Sequence, residues 1–361
     1  MKNQNYVKRL NKDILVLAKH YLKLHGFNMS LLPSLWNLYR NQREALKKRK
    51  DWQQKGVHVP PFMIFSVTNS CNLNCVGCYQ KAQGREKQQE ISSDKMTSIL
   101  EECRELGISI ILISGGEPLM RKDLLPTLKK FPDIVFALFT NGMLLTDELI
   151  SDIHKSRHII PILSIEGYEK ETDMRRGKGV YSKLRDAASR LHGHKVSFGI
   201  SLTVNRNNFD VITTDSFIQS YIDLGCKIFF YVEYVPISEA TEELSVTQEQ
   251  RERLAEIDAG FRKKFSAVLF SFPGGEEEYG GCLAAGRGFI HVSASGKVEP
   301  CPFAPYSDKD LEHESLEASL SSKFMKAIRD NHDVLEDTRG GCSLWVKRDL
   351  VKKLLDQSIS Q

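Results

Sequence analysis

Short apolar runs alternate with longer amphipathic stretches through the middle of this chain. The runs at 62–68, 108–114, 134–140, 159–165, 197–204 and 227–235 are nearly continuous in Val, Ile, Leu and Phe. Runs of that length predict strands covered on both faces, as in a parallel sheet. Between them the apolar positions fall at helical spacing. In 94–106, Met96, Ile99, Leu100, Cys103 and Leu106 form one stripe, and Gly107 follows as a stop. The stretches 146–156, 179–192 and 210–224 behave alike. Six β-α units in about 180 residues predict an α/β fold, a parallel barrel or an open sheet. In both, chemistry belongs at the C-terminal ends of the strands.

The flanks have a different pattern. Val7, Leu10, Ile14, Leu17, Tyr21 and Leu24 are spaced for a helix over 5–25, which Gly26 stops. A second helix starts near Pro33 and carries Leu35, Trp36, Leu38, Tyr39 and Leu46. It ends in Lys47-Lys48-Arg49-Lys50, before Trp52. His58-Val59-Pro60-Pro61 is a rigid entry to the α/β body. Beyond the sixth strand, 241–266 reads as a charged helix and 273–281 as a loop. A cysteine-bearing region then runs to Cys342, and the tail after Trp345 is helical and basic. The expected division is an N-terminal helical hairpin at 1–60, the α/β core at 61–240 and a C-terminal region at 241–361.

Charge changes the reading of the first segment only. The net +4 of the 361 residues divides into +10 for residues 1–60 and −6 for the rest. A basic hairpin is either a solvated face of a helix pair packed on the core, or an element touching a membrane surface or an anionic substrate. The body itself is not basic, and no nucleic acid is expected as a partner. No apolar run reaches the roughly 18 residues of a membrane span. The N-terminus lacks the pattern of a signal peptide, so the expected location is cytoplasmic, with peripheral membrane contact through 1–60 as the variant reading. There, eight cysteines point to metal ligation or catalysis in preference to disulfides.

Three of the cysteines stand in Cys71-Asn72-Leu73-Asn74-Cys75-Val76-Gly77-Cys78-Tyr79, directly after the first predicted strand. A loop leaving a strand can wrap three thiolates around one centre. Three ligands leave a coordination position open, which suits an iron–sulfur cluster that does chemistry. Structural zinc is the rival, but it takes four ligands, and no fourth Cys or His lies nearby. Cys103 on its helix stripe and Cys226 at the start of a strand read as small hydrophobes.

This C-x3-C-x2-C spacing followed by an aromatic resembles the signature of the radical S-adenosylmethionine (SAM) superfamily. Ser114-Gly115-Gly116-Glu117-Pro118, at the end of the second strand, resembles that family's GGEP motif. The resemblance covers about 62–235 and implies a partial (β/α)6 barrel. It implies that Cys71, Cys75 and Cys78 bind a 4Fe-4S cluster whose fourth iron is chelated by SAM. Reduction would then cleave SAM to a 5′-deoxyadenosyl radical that abstracts hydrogen from substrate. It also implies SAM contacts for Gly115, Gly116 and Glu117, for Tyr79 near adenine, for Ser164 of Ser164-Ile165-Glu166-Gly167 at the ribose, and for one of the neighbouring Arg175 and Arg176, with Arg176 preferred, at the carboxylate. Thr140-Asn141-Gly142 resembles a family turn. No catalytic residue is assigned.

A second set, Cys282, Cys301 and Cys342, lies in Gly- and Pro-rich sequence. Cys282 and Gly296-Lys297-Val298-Glu299-Pro300-Cys301 look like the start of the C-terminal SPASM or shortened twitch module of radical SAM enzymes. The module's dense middle run of cysteines is absent, which implies one auxiliary 4Fe-4S cluster. A turn at Ser295-Gly296 would bring Cys282 and Cys301 together. His291 reads as a packed or surface histidine on a strand, and Glu299 as a polar neighbour of the cluster or a strand edge. The resemblance further implies a peptide, small-molecule or lipid-like substrate and a reductase, flavodoxin- or ferredoxin-type electron donor. The alternative is a non-catalytic iron–sulfur or zinc redox protein or sensor.

Overall fold

All six predicted strands are present in a computed structural model of the chain, and they lie side by side. The structure describes residues 12, 32–85, 88–237, 239–272, 281–336 and 342–360. The helix expected over 5–25 and most of the 273–281 loop lie outside the described residues. The strands are β1 (Phe62–Ser66), β2 (Ile110–Ser114), β3 (Val135–Thr140), β4 (Ile159–Ile165), β5 (Phe198–Val204) and β6 (Cys226–Glu233). Each pairs in parallel with the next.

The sheet does not end there. Strand β7 (Val268–Phe272) continues it in parallel beyond β6, while β8 (Phe289–Val292) pairs in parallel with β1 on the opposite edge. Strand β9 (Val298–Glu299) folds back antiparallel on β8. The order is β7-β6-β5-β4-β3-β2-β1-β8-β9, a curled half-barrel. Chain beyond residue 240 therefore supplies both edges of the same sheet.

The continuous apolar runs are explained by two covered faces. Met63 and Phe65 of β1, and Ile111 and Ile113 of β2, are fully buried under the helices. The stripe Met96, Ile99, Leu100, Cys103 and Leu106 of the helix Ser93–Leu106 packs on them and is buried throughout. Leu112, Phe139, Ile162, Phe230 and Phe270 form a separate cluster on the other, inner face. Phe230 stacks on Phe270 with centroids 4.9 Å apart and meets Phe139 edge-on at 5.0 Å.

We number the helices used below α1 (Leu32–Gln54), α2 (Tyr79–Ala82), α3 (Ser93–Leu106) and α4 (Glu169–Arg176). Helix α3 starts at Ser92, whose hydroxyl accepts from the Lys95 N–H, and stops at Gly107 in the left-handed region at φ +89. Its C-terminal carbonyls are covered by α1. Lys48 Nζ donates to Arg104 O at 2.8 Å, Arg49 Nη1 to Gly107 O at 2.5 Å and Trp52 Nε1 to Glu105 O at 3.4 Å. Half of the basic run thus caps a neighbouring helix, where the dipole favours cations, while Lys47 and Lys50 are exposed.

Candidate active site

The three-cysteine loop leaves β1 and crosses the C-terminal edge of the sheet. Its entrance is pinned by Glu90, whose carboxylate accepts from Thr68 Oγ1 at 2.8 Å and from Asn69 N at 2.7 Å. Arg121 Nη1 donates to Val67 O at 2.9 Å. The exit is Cys78, which begins α2 and takes the Ala82 N–H on its carbonyl at 3.0 Å. Between these ends Asn141 Nδ2 holds Asn72 Oδ1 at 2.7 Å, and Val76 N donates to Arg175 O at 2.9 Å. Cys71, Cys75 and Cys78 are all half-buried. Burial pushes the Cys71 thiol up, the Leu73 N–H works against it, and the nearby Cys75, Glu117 and Cys78 add to the rise. Such a set of thiolates is stabilised when a cation binds it.

The glycines after β2 serve that loop directly. A Cβ on Gly115 (φ +135) would stand 2.3 Å from Thr68 O, and one on Gly116 2.1 Å from Ser70 O. Only glycine lets the two strand ends close, with Gly116 N donating to Thr68 O and Glu117 N to Ser70 O, both at 2.8 Å. The buried Glu117 side chain accepts from Thr140 Oγ1 at 2.8 Å, Asn141 N at 2.7 Å and Leu119 N at 3.1 Å. Burial raises its pKa against these bonds. Glu117 therefore ties the β2 turn to the Thr140-Asn141-Gly142 turn of β3, which in turn holds Asn72.

Arg176 faces the cysteines. Its Nη1 is 3.9 Å from Cys75 Sγ, and its Nε and Nη2 donate to Glu166 Oε1 at 2.8 and 2.5 Å. Arg175 Nη1 also pairs with Glu166 and donates to Thr203 Oγ1 at 3.0 Å. Burial opposes the Arg176 charge, but Glu166 and the thiols at Cys75 and Cys78 outweigh it and raise its pKa. Glu166, 1 % exposed, is the anchor of both arginines. The sequence motif contained it, but no local pattern distinguished it from Ser164. Ser164 itself is half-buried on β4, directly opposite Ser201 of β5.

Tyr79 is placed against the C-terminal region. Its ring meets Phe303 edge-on at 5.3 Å, and burial pushes its phenol up to about 12. Among the C-terminal cysteines, Cys301 is buried, and Cys282 and Cys342 are half-buried against the same core. The predicted turn is present: Gly296 adopts φ +83, and Ser293 N donates to Lys297 O at 2.9 Å. Ala285 N donates to Pro300 O at 3.1 Å, which sets the Cys282 segment beside Cys301. His291 and Glu299 on this hairpin are both buried and hydrogen-bonded to each other at 2.8 Å. Cys103 and Cys226 are fully buried, and burial raises both thiols, Cys226 to about 12.

Among the described residues, no three His, Cys, Asp or Glu side chains converge as a single metal ion requires. Three half-buried thiols on a loop fixed at both ends, with a guanidinium beside one of them, suit a larger anionic polynuclear centre.

Residues 65–217 match the radical SAM superfamily model. The AdoMet-dependent heme synthase of Methanosarcina barkeri is 25% identical over 316 residues, covering 80% of this chain and 88% of that protein. The PqqA peptide cyclase of Bradyrhizobium diazoefficiens is 25% identical over 310 residues, covering 80% and 77%. Among solved structures, SuiB of Streptococcus suis superposes with a TM-score of 0.63 at 17% identity, over 85% of this chain and 78% of that one. The family uses a 4Fe-4S cluster and SAM. Residues 65–217 thus form a radical SAM domain, folded here as a partial barrel.

Proposed function

We propose that Cys71, Cys75 and Cys78 hold the radical-generating 4Fe-4S cluster, and that SAM binds its open iron at the mouth of the half-barrel. When bound and reduced, that cluster supplies the electron that cleaves SAM to a 5′-deoxyadenosyl radical. The observation that carries this reading is the closure of the Gly115-Gly116 turn onto the cysteine loop at the C-terminal ends of β1 and β2. The protein's own part is to fix that loop, through Glu90, Asn141 and the Arg175 carbonyl, and to keep a cation, Arg176, at the thiolates. Glu117, being occupied by Thr140, Asn141 and Leu119, acts on SAM by shaping the turn. Tyr79 and Ser164 remain assigned to the nucleoside side of the site.

Cys282, Cys301 and Cys342 hold an auxiliary 4Fe-4S cluster in this reading, supported by the hydrogen bond from Ala285 N to Pro300 O at 3.1 Å that sets the Cys282 segment beside Cys301. The substrate from which hydrogen is abstracted is a peptide or a small organic molecule. One named relative makes heme and another acts on the PqqA peptide, which supports that breadth. Electrons come from an external one-electron donor of flavodoxin or ferredoxin type.

Anaerobic reconstitution followed by dithionite and SAM should give 5′-deoxyadenosine with the unmodified chain and none with Cys75→Ala. No 5′-deoxyadenosine from a fully iron-loaded protein would overturn the assignment.

A further inference from the structure

A chain of polar side chains, all buried except the half-buried Ser114, crosses the sheet beneath the SAM site, and it runs from Glu299 beside Cys301 to Ser114 beside the Gly115-Gly116 turn. Arg85 Nη2 donates to Glu299 Oε2 at 2.8 Å, and the same oxygen accepts from His291 Nδ1 at 2.8 Å. His291 Nε2 lies 2.8 Å from Ser66 Oγ, which lies 3.3 Å from Ser114 Oγ. Arg85, Glu299 and Ser66 are 4 %, 3 % and 6 % exposed, and His291 is sealed. A carboxylate only accepts, so His291 Nδ1 carries the proton and Nε2 takes the Ser66 hydroxyl. Burial pulls the His291 pKa down, with Glu299 opposing and Arg85 assisting, which keeps the ring neutral and that polarity fixed.

The ends of the chain give it meaning. Ser66 and Ser114 are the last residues of β1 and β2 and stand opposite each other. Two residues past Ser66 is Thr68, whose carbonyl is covered by Gly115 and bonded by Gly116 N. Immediately past Ser114 is Gly115 itself. At the other end, Glu299 stands two residues before Cys301. Arg85 follows α2 and also donates to Gln83 Oε1 at 2.6 Å, while Gln83 Nε2 donates to Pro302 O at 2.8 Å.

We propose that His291 is a positioning residue for SAM: through Ser66 and Ser114 it fixes the strand ends on which the Gly115-Gly116 turn and the cysteine loop close. This rests on the reading of that turn and loop as the SAM site. Glu299, clamped by Arg85, fixes the ring, so the C-terminal hairpin sets the geometry of the radical-generating end of the barrel. A packing histidine would need no such aligned acceptors and donors. An apolar residue would fill the space between β1 and β9 equally well.

The test uses the reconstituted full-length holoprotein with SAM as the probe. Its dissociation constant is read by equilibrium dialysis, and the change SAM causes in the EPR spectrum of the reduced protein is recorded alongside. Ser66→Ala and His291→Leu should each weaken SAM binding about tenfold with iron content unchanged, since each breaks the same buried chain. The double variant should be no weaker than either single one, the mark of a shared path. Ile290→Val, on the opposite face of β8, should bind SAM as the unmodified protein does. Binding within about twofold for Ser66→Ala overturns the proposal, as does an additive loss in the double variant. Should His291→Leu fail to fold, Ser66→Ala alone decides. Absence of SAM binding to the unmodified holoprotein overturns the functional reading and takes this proposal with it. Normal binding with unaffected variants overturns this proposal alone.

Discussion

At the scale of single residues, Gly77 shows how tightly the cysteine loop is held. Its φ is +66, and a Cβ there would meet Tyr234 at Oη 2.6 Å and Cε2 2.9 Å. Tyr234 has little freedom to yield, since it is 5 % exposed and donates to Thr241 Oγ1 at 2.8 Å. Left-handed alanine alone costs roughly 1–2 kcal/mol. Gly77→Ala should therefore displace the loop between Cys75 and Cys78 and lower the iron retained at that site. Truncating the obstacle in Gly77→Ala/Tyr234→Ala should restore part of it. Iron assays on the two variants check this, and equal iron in both would show that the ring does not constrain the loop. Much of this scale was legible in the sequence. The cysteines and the Gly-Gly turn announce themselves because their chemistry forces a fixed local spacing. Glu166 and His291 do not, because neither pairing follows a fixed local spacing: Glu166 meets Arg175 and Arg176 across a strand-to-helix turn, and His291 meets Ser66 of β1, far away in sequence.

At the scale of elements, the N-terminal basic run illustrates what periodicity leaves out. Lys47, Lys48, Arg49 and Lys50 are alike in composition, yet Arg49 is 6 % exposed while Lys47 and Lys50 face solvent. The difference is the C-terminus of α3, which no local pattern places under α1. A Cβ on Gly107 would fall 2.5 Å from Ala45 O, so the two helices touch through backbone at that turn. Burial holds the Arg49 pKa down at about 10, a cost offset by its bond to the Gly107 carbonyl. Arg49→Met should leave that carbonyl without its charged donor and cost about 2 kcal/mol. Lys50→Ala should change stability by less than about 0.5 kcal/mol. Urea denaturation measures both, and equal midpoints for the two variants would remove the capping role.

At the scale of the whole molecule, the six-strand count read from the sequence was right as far as it went. It stopped where the apolar runs became short or interrupted. Strand β7 lies beyond a charged helix, and β8 carries His291 in the middle of its four residues. Interrupted strands of this kind are recognisable only once the sheet exists to pair them. Their placement joins the C-terminal region to the barrel through β8 on β1, through Glu299 and Arg85, and through Phe303 on Tyr79.

That arrangement separates two kinds of damage. If Cys282, Cys301 and Cys342 bind a second 4Fe-4S cluster, the reconstituted chain should carry about eight irons, and Cys301→Ala about four. Cys301 is buried beside the hairpin but outside the chain from Arg85 to Ser66, and its side chain takes no part in those bonds. Cys301→Ala should therefore keep the SAM-dependent formation of 5′-deoxyadenosine, whereas Cys75→Ala abolishes it. Loss of both iron and SAM cleavage in Cys301→Ala would mean that the hairpin depends on the bound centre for its fold. About four irons in the unmodified chain would remove the auxiliary cluster while leaving the three-cysteine loop after β1 as the radical-generating site.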